Sequence, residues 1–466
     1  MLYQQAINNR FRPINSMSIN VQSLITTALF ILFCAIYQIG HLFGFSFIVF
    51  LLLYIVWFFE LWSEYKRHKK IITPKMIWIV CWQLIIVIAR IDGIYQYITE
   101  WTNQLHYFVL LNTIAFYVAY ELVFYISSHI SGLGGFSRIY EKGVFFRKWI
   151  NYERLFVFTS ALLLIGIAGF FLTVLICGYI PALKGLIDSY RINFREKPTM
   201  ILFNVARIGC AFVPLACQKT KSKLMKFLIY FLFFAYLLCG YLSGWRSNIF
   251  QGFIMYITGF FFAKKNQIDA SSIIKRMLKY SLAIIFIFIL FSYMRDIGKG
   301  NTIDRGVFSY VGFTLYMYIA PQFINLQTAM ASYNPTNSFI LSTEGIWSIF
   351  TDGSSIANYR PVQIVMKGGY NVSSYLLVPY LDYGLFGTIV WSIILALFAA
   401  LAYSSYKKNN NIIWAIGFLA IMNAVIFTMH SGFLLTSATC YVWFFIILVF
   451  AYTCTRRETV LLNDFR

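Results

Sequence analysis

A succession of long apolar stretches, joined by short basic loops, constrains this chain more than any other feature of its sequence. A helix needs roughly 20 predominantly apolar residues to cross the hydrocarbon core of a bilayer. Because such stretches recur from one end of the chain to the other, the sequence predicts an all-α, polytopic membrane protein. About twelve spans are expected, with approximate cores at Leu24–Gly40, Leu42–Trp62, Met76–Tyr97, Tyr107–Ser127, Leu155–Ile180, Met200–Ala216, Phe227–Leu242, Ile249–Ala263, Tyr280–Met294, Tyr383–Ala402, Ile412–Met429 and Thr439–Tyr452. Several cores are short, and we expect those helices to end at a wet cavity rather than at lipid.

Composition supports the membrane class and excludes several alternatives. The chain is 60% hydrophobic and 12% charged, whereas soluble domains contain roughly 25% charged residues. The N-terminal segment is polar and the first apolar run lacks a small-residue cleavage site, so no cleavable signal peptide is expected. The 8 cysteines lie in or beside the apolar spans without a CxxC pair, so neither a disulfide framework nor a zinc site is expected. No metal and no cofactor are predicted.

The distribution of positive charge predicts how the spans are oriented. The formal net charge of +21 lies mainly in the loops between spans. This distribution indicates how the spans are oriented in the membrane and does not indicate nucleic-acid binding. With the N-terminus inside, 26 of the 38 Lys and Arg residues lie in inner segments and 10 in outer ones. Both termini are therefore predicted to be cytoplasmic. The abundance of Ile, Phe, Asn, Lys and Tyr is typical of an AT-rich bacterial gene, so we expect a bacterial inner-membrane protein.

One long interval, Arg295–Gly387, stays polar and irregular and is rich in Tyr, Gly and Arg. The predicted orientation puts residues 295–374 outside, in a large loop between the ninth and tenth spans. Within this loop Val307–Leu326 is apolar but interrupted by a glycine and a proline. A thirteenth span here would reverse every later loop, so we interpret this stretch as a helix lying on the membrane surface or re-entering it. No internal repeat divides the chain, and residues 1–466 are interpreted as one membrane domain.

The outer cations are the residues that break the positive-inside rule: Lys184, Arg191, Arg195, Lys197, Arg246, Arg295, Lys299, Arg305, Arg360 and Lys367. For any one of them alone, an anion-binding role is no better supported than a role as a solvated loop charge or as a side chain that snorkels to lipid phosphates. As a group they indicate an anion site, because the guanidinium fork binds phosphate through several donors. Arg191, Arg195, Arg295 and Arg305 are therefore candidate substrate-binding residues.

Arg246 is the most specific of these candidates. It lies in LSGWRSN, a glycine-containing hairpin between two short apolar spans. The hairpin should hold the guanidinium just below the outer membrane surface, near a lipid diphosphate headgroup. An interfacial arginine beside Trp245 is the alternative explanation.

Two further arginines, Arg90 and Arg207, lie well inside apolar spans. A charge there costs about 2.5–3.5 kcal/mol on insertion scales and usually faces a cavity or a partner. Arg90 is expected to have a structural role, in an ion pair with Asp92 or Glu121. Arg207 is a candidate both for structure and for substrate binding.

Two residues are candidates for a general base on the outer side. His430, in TMHSGF, ends the eleventh span, and the unperturbed pKa of histidine suits removal of a proton from an acceptor hydroxyl. A hydrogen-bonded helix cap is the alternative for this histidine. Asp382, in PYLDYG, is the second candidate base. Outer tyrosines, including Tyr370 and Tyr380, are candidates for stacking on sugar rings.

Several motifs are absent from the sequence, and their absence narrows the chemistry. There is no Walker motif, HExxH, GxSxG, or DxD pair in the outer loops, so no ATPase, zinc-hydrolase or metal-dependent sugar-nucleotide site is expected. Nucleotide sugars are not found outside the membrane. The energy for any transfer reaction would therefore have to reside in the donor, as it does in a prenyl diphosphate sugar.

Three features together resemble the Wzy-type O-antigen and capsule repeat-unit polymerases. They are SGWR at Ser243–Arg246, the large outer loop late in the chain, and GGYNVSSYLLVPYLDYGLFG at Gly368–Gly387. The last is similar to that family's N…Y-x-D-[FY]-G-x-x-G pattern before a late helix. By motif the matching positions are Arg246, Asn371, Asp382 and Gly384. Arg295, Arg305 and Arg360 match by their place in the loop.

The resemblance implies a C-type membrane glycosyltransferase fold and metal-independent transfer on undecaprenyl-diphosphate-linked oligosaccharides. The growing glycan would leave its lipid diphosphate and attach to the terminal sugar of a newly flipped repeat unit. Arg246 and Arg360 would stabilise the departing diphosphate, and His430 or Asp382 would take the acceptor proton. Asn371 would contribute to binding. A chain-length regulator protein is a further candidate partner.

Three alternatives compete with the polymerase interpretation. The O-antigen ligases share its architecture and a basic outer loop. A flippase or other transporter of lipid-linked glycans also fits twelve helices, but we find neither paired repeats nor centrally broken helices in the sequence. A membrane acyltransferase would require a His-centred motif, which we do not find.

Overall fold

The computed structural model describes residues 58–65, 73–83, 101–129, 144–184, 188–220, 222–244, 246–263, 310–313, 321–343, 374–409 and 452–461, with scattered single positions elsewhere. Its described elements are, in chain order, α1 (Pro74–Trp78) with a π-helical turn at Ile79–Gln83, α2 (Asn103–His129), β1 (Val144–Ile150), α3 (Tyr152–Cys177), a 3-10 turn at Pro181–Lys184, α4 (Asp188–Arg195), α5 (Thr199–Ala206), α6 (Gly209–Lys219), α7 (Lys223–Leu242), α8 (Arg246–Ala263), α9 (Pro321–Ser332), α10 (Leu377–Asn409) and β2 (Thr455–Leu461). Apart from one strand pair, this part of the chain is helical, as predicted.

Four of the described helices are long and apolar enough to cross a membrane. They are Asn103–Ser127 of α2, Tyr152–Cys177 (α3), Lys223–Leu242 (α7) and Leu377–Ser404 of α10. They coincide with the predicted cores Tyr107–Ser127, Leu155–Ile180, Phe227–Leu242 and Tyr383–Ala402. The multi-pass membrane class is thus confirmed.

Two short helices together make a fifth candidate crossing. α5 and α6 coincide with the predicted core Met200–Ala216, but their axes are inclined by 41° at a break between them. α8 contains a shorter apolar helix, Asn248–Ile257, which overlaps the predicted core Ile249–Ala263. The predicted total of about twelve spans is not confirmed, because the other predicted cores lie mostly outside the described residues.

The surface of these helices is suited to lipid. No more than half of each apolar window is buried, with 39% in α2, α3 and α7 and 50% in α10. Leu175, Phe231 and Phe386 are 78%, 60% and 64% exposed. Apolar surface of this extent is rare on soluble proteins, so a bilayer is the environment that fits the fold.

The first group of helices consists of α1, α2, α9 and α10, which pack around an aromatic core. Trp78 stacks on Phe116 with ring centroids 3.8 Å apart, and Trp82 meets Phe323 edge-on at 5.4 Å. These rings join α1 and its π-turn to α2 and α9. Offset and edge-on aromatic pairs add about 0.5–1.5 kcal/mol each beyond the area they bury.

Polar side chains also join α2 to α10 inside this group. Ser392 Oγ donates to Asn112 Oδ1 at 2.8 Å, and Asn112 Nδ2 donates to Thr388 Oγ1 at 3.1 Å. The Tyr375 hydroxyl lies 2.7 Å from Ser392 Oγ. In a bilayer, helices lack a hydrophobic drive toward each other, so interhelical hydrogen bonds of about 0.6 kcal/mol each help to specify the pair.

The stretch predicted as a surface or re-entrant helix, Val307–Leu326, is described at 310–313, 316 and 321–326. Its last residues belong to α9, which begins at Pro321. Phe323 and Leu326 are fully buried in the first helix group. The described end of this stretch is therefore packed inside the protein, with α9 continuing beyond it to Ser332.

The second group of helices runs from α3 to α8. Small residues allow close approach at its centre: a Cβ at Gly169 would lie 2.8 Å from Leu202 Cβ, on α5. Tyr236 of α7 stacks on Phe203 of α5 with centroids 4.4 Å apart, and its hydroxyl donates to the Phe203 carbonyl oxygen at 2.7 Å. α5 is thereby held between α3 and α7.

The predicted architecture omitted one element, an antiparallel pair of strands. β1 and β2 pair with Val144 opposite Leu461 and Ile150 opposite Thr455. The pairing continues at the helix boundary, where Asn151 N donates to the Cys454 carbonyl oxygen at 2.8 Å. Both strands are short and basic, so their sequences were interpreted as inner loops.

This strand pair limits the membrane topology. The edges of an open two-stranded ribbon have backbone groups that lipid cannot satisfy, so the ribbon lies outside the hydrocarbon core. β1 leads directly into α3, and β2 follows the helical residues 452–453. The chain must therefore cross the membrane an even number of times between Ile150 and Thr455. The eight spans predicted in this interval satisfy that condition, and a thirteenth at Val307–Leu326 would violate it.

Disulfide cross-linking tests the register of the ribbon. In a variant without native cysteines, Phe146→Cys with Thr459→Cys should cross-link on mild oxidation, because these residues are directly opposite and opposed Cα atoms lie about 4.5–5.5 Å apart. The matched control, Phe146→Cys with Thr455→Cys, is displaced along β2 and should not cross-link. Mass spectrometry of proteolytic peptides measures both yields. Equal yields from the two pairs would contradict the register.

A buried ion pair joins α1 to α2. Lys75 Nζ lies 2.7 Å from Glu121 Oε1, and the two side chains are 4% and 12% exposed. The Tyr117 hydroxyl donates to Glu60 beside this pair, and Lys75 Nζ lies 5.1 Å from the Tyr117 ring centroid. Glu121 thus has a cationic partner one helix earlier in the chain. Arg90, the partner considered from sequence, lies outside the described residues.

Removing the ammonium should strongly destabilise the first helix group. Lys75→Met leaves buried carboxylates without their cation, and breaking a buried pair in this way costs about 3–5 kcal/mol. Adding Glu121→Gln should recover part of that loss. Thermal unfolding in detergent measures both variants, with Lys223→Met at an exposed position as the control. A Lys75→Met protein as stable as the control would show that the pair contributes nothing.

Candidate functional site

The structure describes half of the residues predicted to form a site. Arg295, Arg305, Arg360, Tyr370, Asn371 and His430 lie outside the described residues. The other six are described at the level of the backbone, and all but Arg246 at the level of the side chain: Arg191, Arg195, Arg207, Arg246, Tyr380 and Asp382. Most of them lie at or near two helix breaks, one in each helix group.

The first break separates α5 from α6. Arg207 and Ile208 lie between the two helices, and the hydrogen bonds here are of the i→i+3 kind: Cys210 N donates to Arg207 O and Ala211 N to Ile208 O, both at 3.0 Å. Pro214 lies inside α6, where it has no N–H to donate to the carbonyl oxygen one turn earlier. Broken helices were not expected from the sequence, although this proline was a signal for one.

Arg207 is buried at this break, with 4% of its surface exposed. Its Nη2 donates to Asn204 Oδ1 and to Asn248 Oδ1, at 2.7 Å each. Its Nε has no hydrogen-bond partner. Among the described residues no carboxylate forms an ion pair with it, so the uncharged oxygens of two amides and of the Tyr236 hydroxyl surround this guanidinium.

The predicted hairpin at SGWR is present beside Arg207. α7 ends at Leu242, Gly244 has a φ of +75°, and α8 begins at Arg246. Asn248 links the hairpin to the break, because its Nδ2 donates to Ser243 Oγ at 3.3 Å while its Oδ1 accepts from Arg207. The backbone of Arg246 therefore lies two residues from a direct contact of Arg207.

These polar groups lie deep along α5. Arg207 is eight residues after Thr199, where α5 begins, which corresponds to about 12 Å at the helical rise of 1.5 Å per residue. Asn248 of α8 reaches this level through its contact with Arg207, whereas the end of α7 lies beside the 3-10 turn, where Ile249 packs against Tyr241 and Ala182. The expectation that short helices end at a wet cavity stays a prediction.

The two arginines of α4 occupy different environments. Arg191 is buried, with 9% exposure, whereas Arg195 is exposed. α4 is fixed to the end of α3 by Phe194, whose ring centroid lies 5.6 Å from that of Phe170. Tyr179 extends this attachment, since its hydroxyl donates to the Tyr190 carbonyl oxygen at 3.1 Å.

The second break lies within α10, at the predicted motif PYLDYG. Tyr383 (φ −136°, ψ 24°) and Gly384 (φ 57°, ψ −139°) are not helical. Backbone groups released by the break are satisfied by the segment after α9: Thr336 N donates to the Leu381 carbonyl oxygen at 2.8 Å, and Asn337 N to that of Asp382 at 2.7 Å. This satisfies the requirement that lipid imposes on an interrupted helix.

Asp382 is fully buried at this break. Its Oδ1 accepts from Leu341 N at 3.2 Å and its Oδ2 from Ser342 N at 2.6 Å. Both carboxylate oxygens are thus used to hold the segment after α9 against α10. The geometry gives Asp382 a positioning role, while its assignment as a base stays a prediction.

Each of the two glycine positions in the motif requires glycine for a different physical reason. Gly384 adopts a positive φ combined with an extended ψ, a conformation that is essentially restricted to glycine. A Cβ at Gly387 would overlap the carbonyl oxygen of Pro379. The D-Y-G-x-x-G pattern therefore specifies a sharp reversal of the chain before the long helix.

Tyr380 belongs to the core of the first helix group. It is 8% exposed, and its ring meets Phe108 edge-on with centroids 5.5 Å apart. The ring that was predicted to stack on a sugar is thus packed against protein. Its role in binding stays a prediction.

Three amide side chains near the first break were not singled out from the sequence: Asn204, Asn248 and Gln251. Asn248 and Gln251 are buried, with 8% and 6% exposure. The signal that could have found them is the presence of amides inside apolar spans, three residues from an arginine or from each other. In a bilayer such groups must find internal partners.

Comparisons of the chain with protein-family models, with curated proteins and with solved structures found no match. The resemblance to repeat-unit polymerases thus stays one of short motifs and general architecture. The function has to be argued from the two breaks and from the charges beside them.

Substitution of the motif glycines tests the second break. Gly384→Ala should lower stability by about 1–3 kcal/mol, the usual cost of a strained backbone conformation, and Gly387→Ala should also be destabilising because of its overlap with Pro379. Gly240→Ala is the control, since a Cβ there meets its nearest atoms at an ordinary van der Waals distance of 3.5 Å without positive φ. Thermal midpoints in detergent measure all three. Similar midpoints throughout would contradict this account of the motif.

Proposed function

We propose that the chain polymerises oligosaccharide repeat units linked to undecaprenyl diphosphate, at the outer face of a bacterial inner membrane. The observation that carries this proposal is the buried Arg207 guanidinium at a helix break, joined through Asn248 to the SGWR hairpin. A positive charge held within an apolar domain, beside the backbone of a second arginine, supports recognition of a phosphorylated lipid carrier. The proposed enzyme is a metal-independent glycosyltransferase.

In the proposed reaction, the bond between the anomeric carbon of the donor glycan and its diphosphate breaks. The hydroxyl oxygen of the acceptor sugar forms the new bond to that carbon, and its proton passes to a base. Negative charge builds on the departing diphosphate in an oxocarbenium-like transition state. Preorganised guanidinium donors stabilise this charge more than the ground state, which lowers the barrier.

Roles follow from the predicted positions. Arg246 and Arg360 stabilise the departing diphosphate. The phosphates or the glycan are bound by the remaining candidates: Arg191, Arg195, Arg207, Arg295, Arg305, Asn371, Tyr370 and Tyr380. His430 is the proposed base. Asp382 is the weaker candidate for that role because backbone N–H groups already occupy both of its oxygens.

The proposed orientation has both termini in the cytoplasm. It is supported by the ribbon, since β1 and β2 must lie on one side of the membrane and both are basic. Loops rich in Lys and Arg favour the cytoplasmic side. The long loop 295–374 and the SGWR hairpin then face outward, where lipid-linked repeat units are presented.

A transporter of lipid-linked glycans is the second candidate, and the two helix breaks favour it. Discontinuous helices near the middle of the membrane are common in secondary transporters, where helix ends and polar side chains bind the substrate. α5 and α6 form such a pair, with Arg207 between them. The same site could hold a phosphorylated lipid without catalysing transfer.

Reconstitution of the purified chain with lipid-linked repeat units, and no other protein, separates these candidates. A ladder of longer glycans on a gel is the expected result for a polymerase. Substrate that crosses the vesicle membrane without new glycosidic bonds would identify a transporter instead. Transfer of glycan onto lipid A would identify a ligase.

The arginine variants test the proposed chemistry directly. Arg246→Ala and Arg360→Ala should each slow ladder formation by about 10²–10³-fold, the typical effect of losing one preorganised donor to a developing oxyanion. Lys223→Ala, at an exposed position at the start of α7, is the matched control and should leave the ladder unchanged. Wild-type ladders from both arginine variants, at normal protein levels, would refute the diphosphate assignment.

A further inference from the structure

The surroundings of Arg207 hold unsatisfied groups as well as satisfied ones. Arg207 Nε and Gln251 Oε1 are both buried without a hydrogen-bond partner. Gln251 lies one turn beyond Asn248 on α8, so the two amides share a face of that helix. The break, the hairpin and α8 thus meet around a buried guanidinium that its neighbours satisfy only in part.

Amide oxygens do not balance the charge of Arg207. Asn204 and Asn248 accept hydrogen bonds, but they carry only partial negative charge. Tyr236 does not supply an anion either, because its hydroxyl donates to the Phe203 carbonyl oxygen. A charged group removed from water normally has an oppositely charged partner, and no described carboxylate provides one.

The buried ion pair of the first helix group gives the comparison. There, Lys75 lies 2.7 Å from the Glu121 carboxylate, and the charge is balanced within the protein. Arg207 is about as deeply buried, with 4% exposure against 3% for Lys75, yet has amides in the corresponding positions. An external anion at Arg207 would supply the negative charge that Glu121 supplies at Lys75.

The chemical class of the anion follows from the Arg207 guanidinium and from the apolar surface beside it. Guanidinium binds phosphoryl oxygens through directed N–H groups, and amide side chains can turn to donate to the same oxygens. Exposed apolar residues lead along α7 toward the hairpin: Phe227, Phe231, Phe234 and Leu238. A phosphate ester with an apolar chain fits both the polar site and this surface.

We propose that Arg207, Asn204, Asn248 and Gln251 bind one phosphoryl group, either of a lipid headgroup or of free phosphate. The lipid source rests on the proposed function, whereas the phosphoryl chemistry rests on the geometry alone. Arg207 anchors the group, the two asparagines orient the guanidinium, and Gln251 contacts the remaining oxygens. All four residues belong to α5, α8 and the break between α5 and α6.

Thermal unfolding of the full-length chain in detergent tests this site. Inorganic phosphate, pyrophosphate and a short-chain prenyl phosphate are titrated at constant ionic strength, with chloride as the reference anion. Ligands that bind the native state alone raise the midpoint as their concentration exceeds the Kd. We expect a saturable rise with a phosphoryl ligand. A much lower Kd for the prenyl phosphate indicates a lipid headgroup, and similar values indicate free phosphate.

Two variants separate binding from folding. Arg207→Gln should abolish the rise. Asn248→Asp should abolish it as well, because the new carboxylate lies where the amide oxygen accepts from Arg207 at 2.7 Å; the protein should stay folded, since an internal ion pair replaces the ligand. Lys223→Gln, an exposed control, should keep the wild-type response. If Arg207→Gln fails to fold, the response of Asn248→Asp alone decides whether the phosphoryl site exists.

The outcomes also separate this inference from the proposed function. No phosphoryl-dependent rise in the wild type, or an unchanged rise in Asn248→Asp, overturns the site. A lost rise in Asn248→Asp without glycan ladders from the wild-type protein keeps the site and rejects the polymerase. Ladders in the absence of any phosphoryl-dependent rise keep the polymerase and reject the site.

Discussion

Lipid cannot hydrogen-bond to a peptide group, so a backbone group released by a helix break must find its partner within the protein. This requirement governs the two described interruptions of the helices. At the break in α10, the released carbonyl oxygens of Leu381 and Asp382 accept from the segment after α9. At the break between α5 and α6, i→i+3 bonds tighten the backbone instead. The α10 break is therefore tied to a partner segment, whereas the α5–α6 break is satisfied by its own backbone. A break stabilised in this way is a fixed feature of the fold and can carry polar side chains into the apolar domain.

The same requirement applies to side chains, and the two helix groups meet it differently. The first group balances Lys75 with Glu121 and pairs Asn112 with Ser392 and Thr388. The second group holds Arg207 through amide oxygens. The buried cation is thus matched by a carboxylate in the first group and by uncharged oxygens in the second.

Sequence reasoning located the helices well and their interruptions poorly. Composition averaged over a span identified α2, α3, α7 and α10, because burial in lipid depends on that average. A break can depend on a single residue, such as Gly384, which hardly changes the average. Asp382 was found as a conspicuous acid in a motif, but its two backbone partners come from residues about forty positions earlier. Such long-range contacts, like the β1–β2 pairing, have no local signal.

The ribbon and the helix packing together determine on which side of the fold the α7–α8 hairpin lies. α3 leaves the ribbon and ends at Gly178, and Gly169 near that end lies against Thr199 and Leu202 at the start of α5. α5 and α6 therefore return toward the ribbon side, and α7 runs away from it again. The α7–α8 hairpin must then lie on the side opposite to the ribbon. With a basic ribbon in the cytoplasm, as proposed above, the SGWR hairpin would lie at the outer side of the membrane.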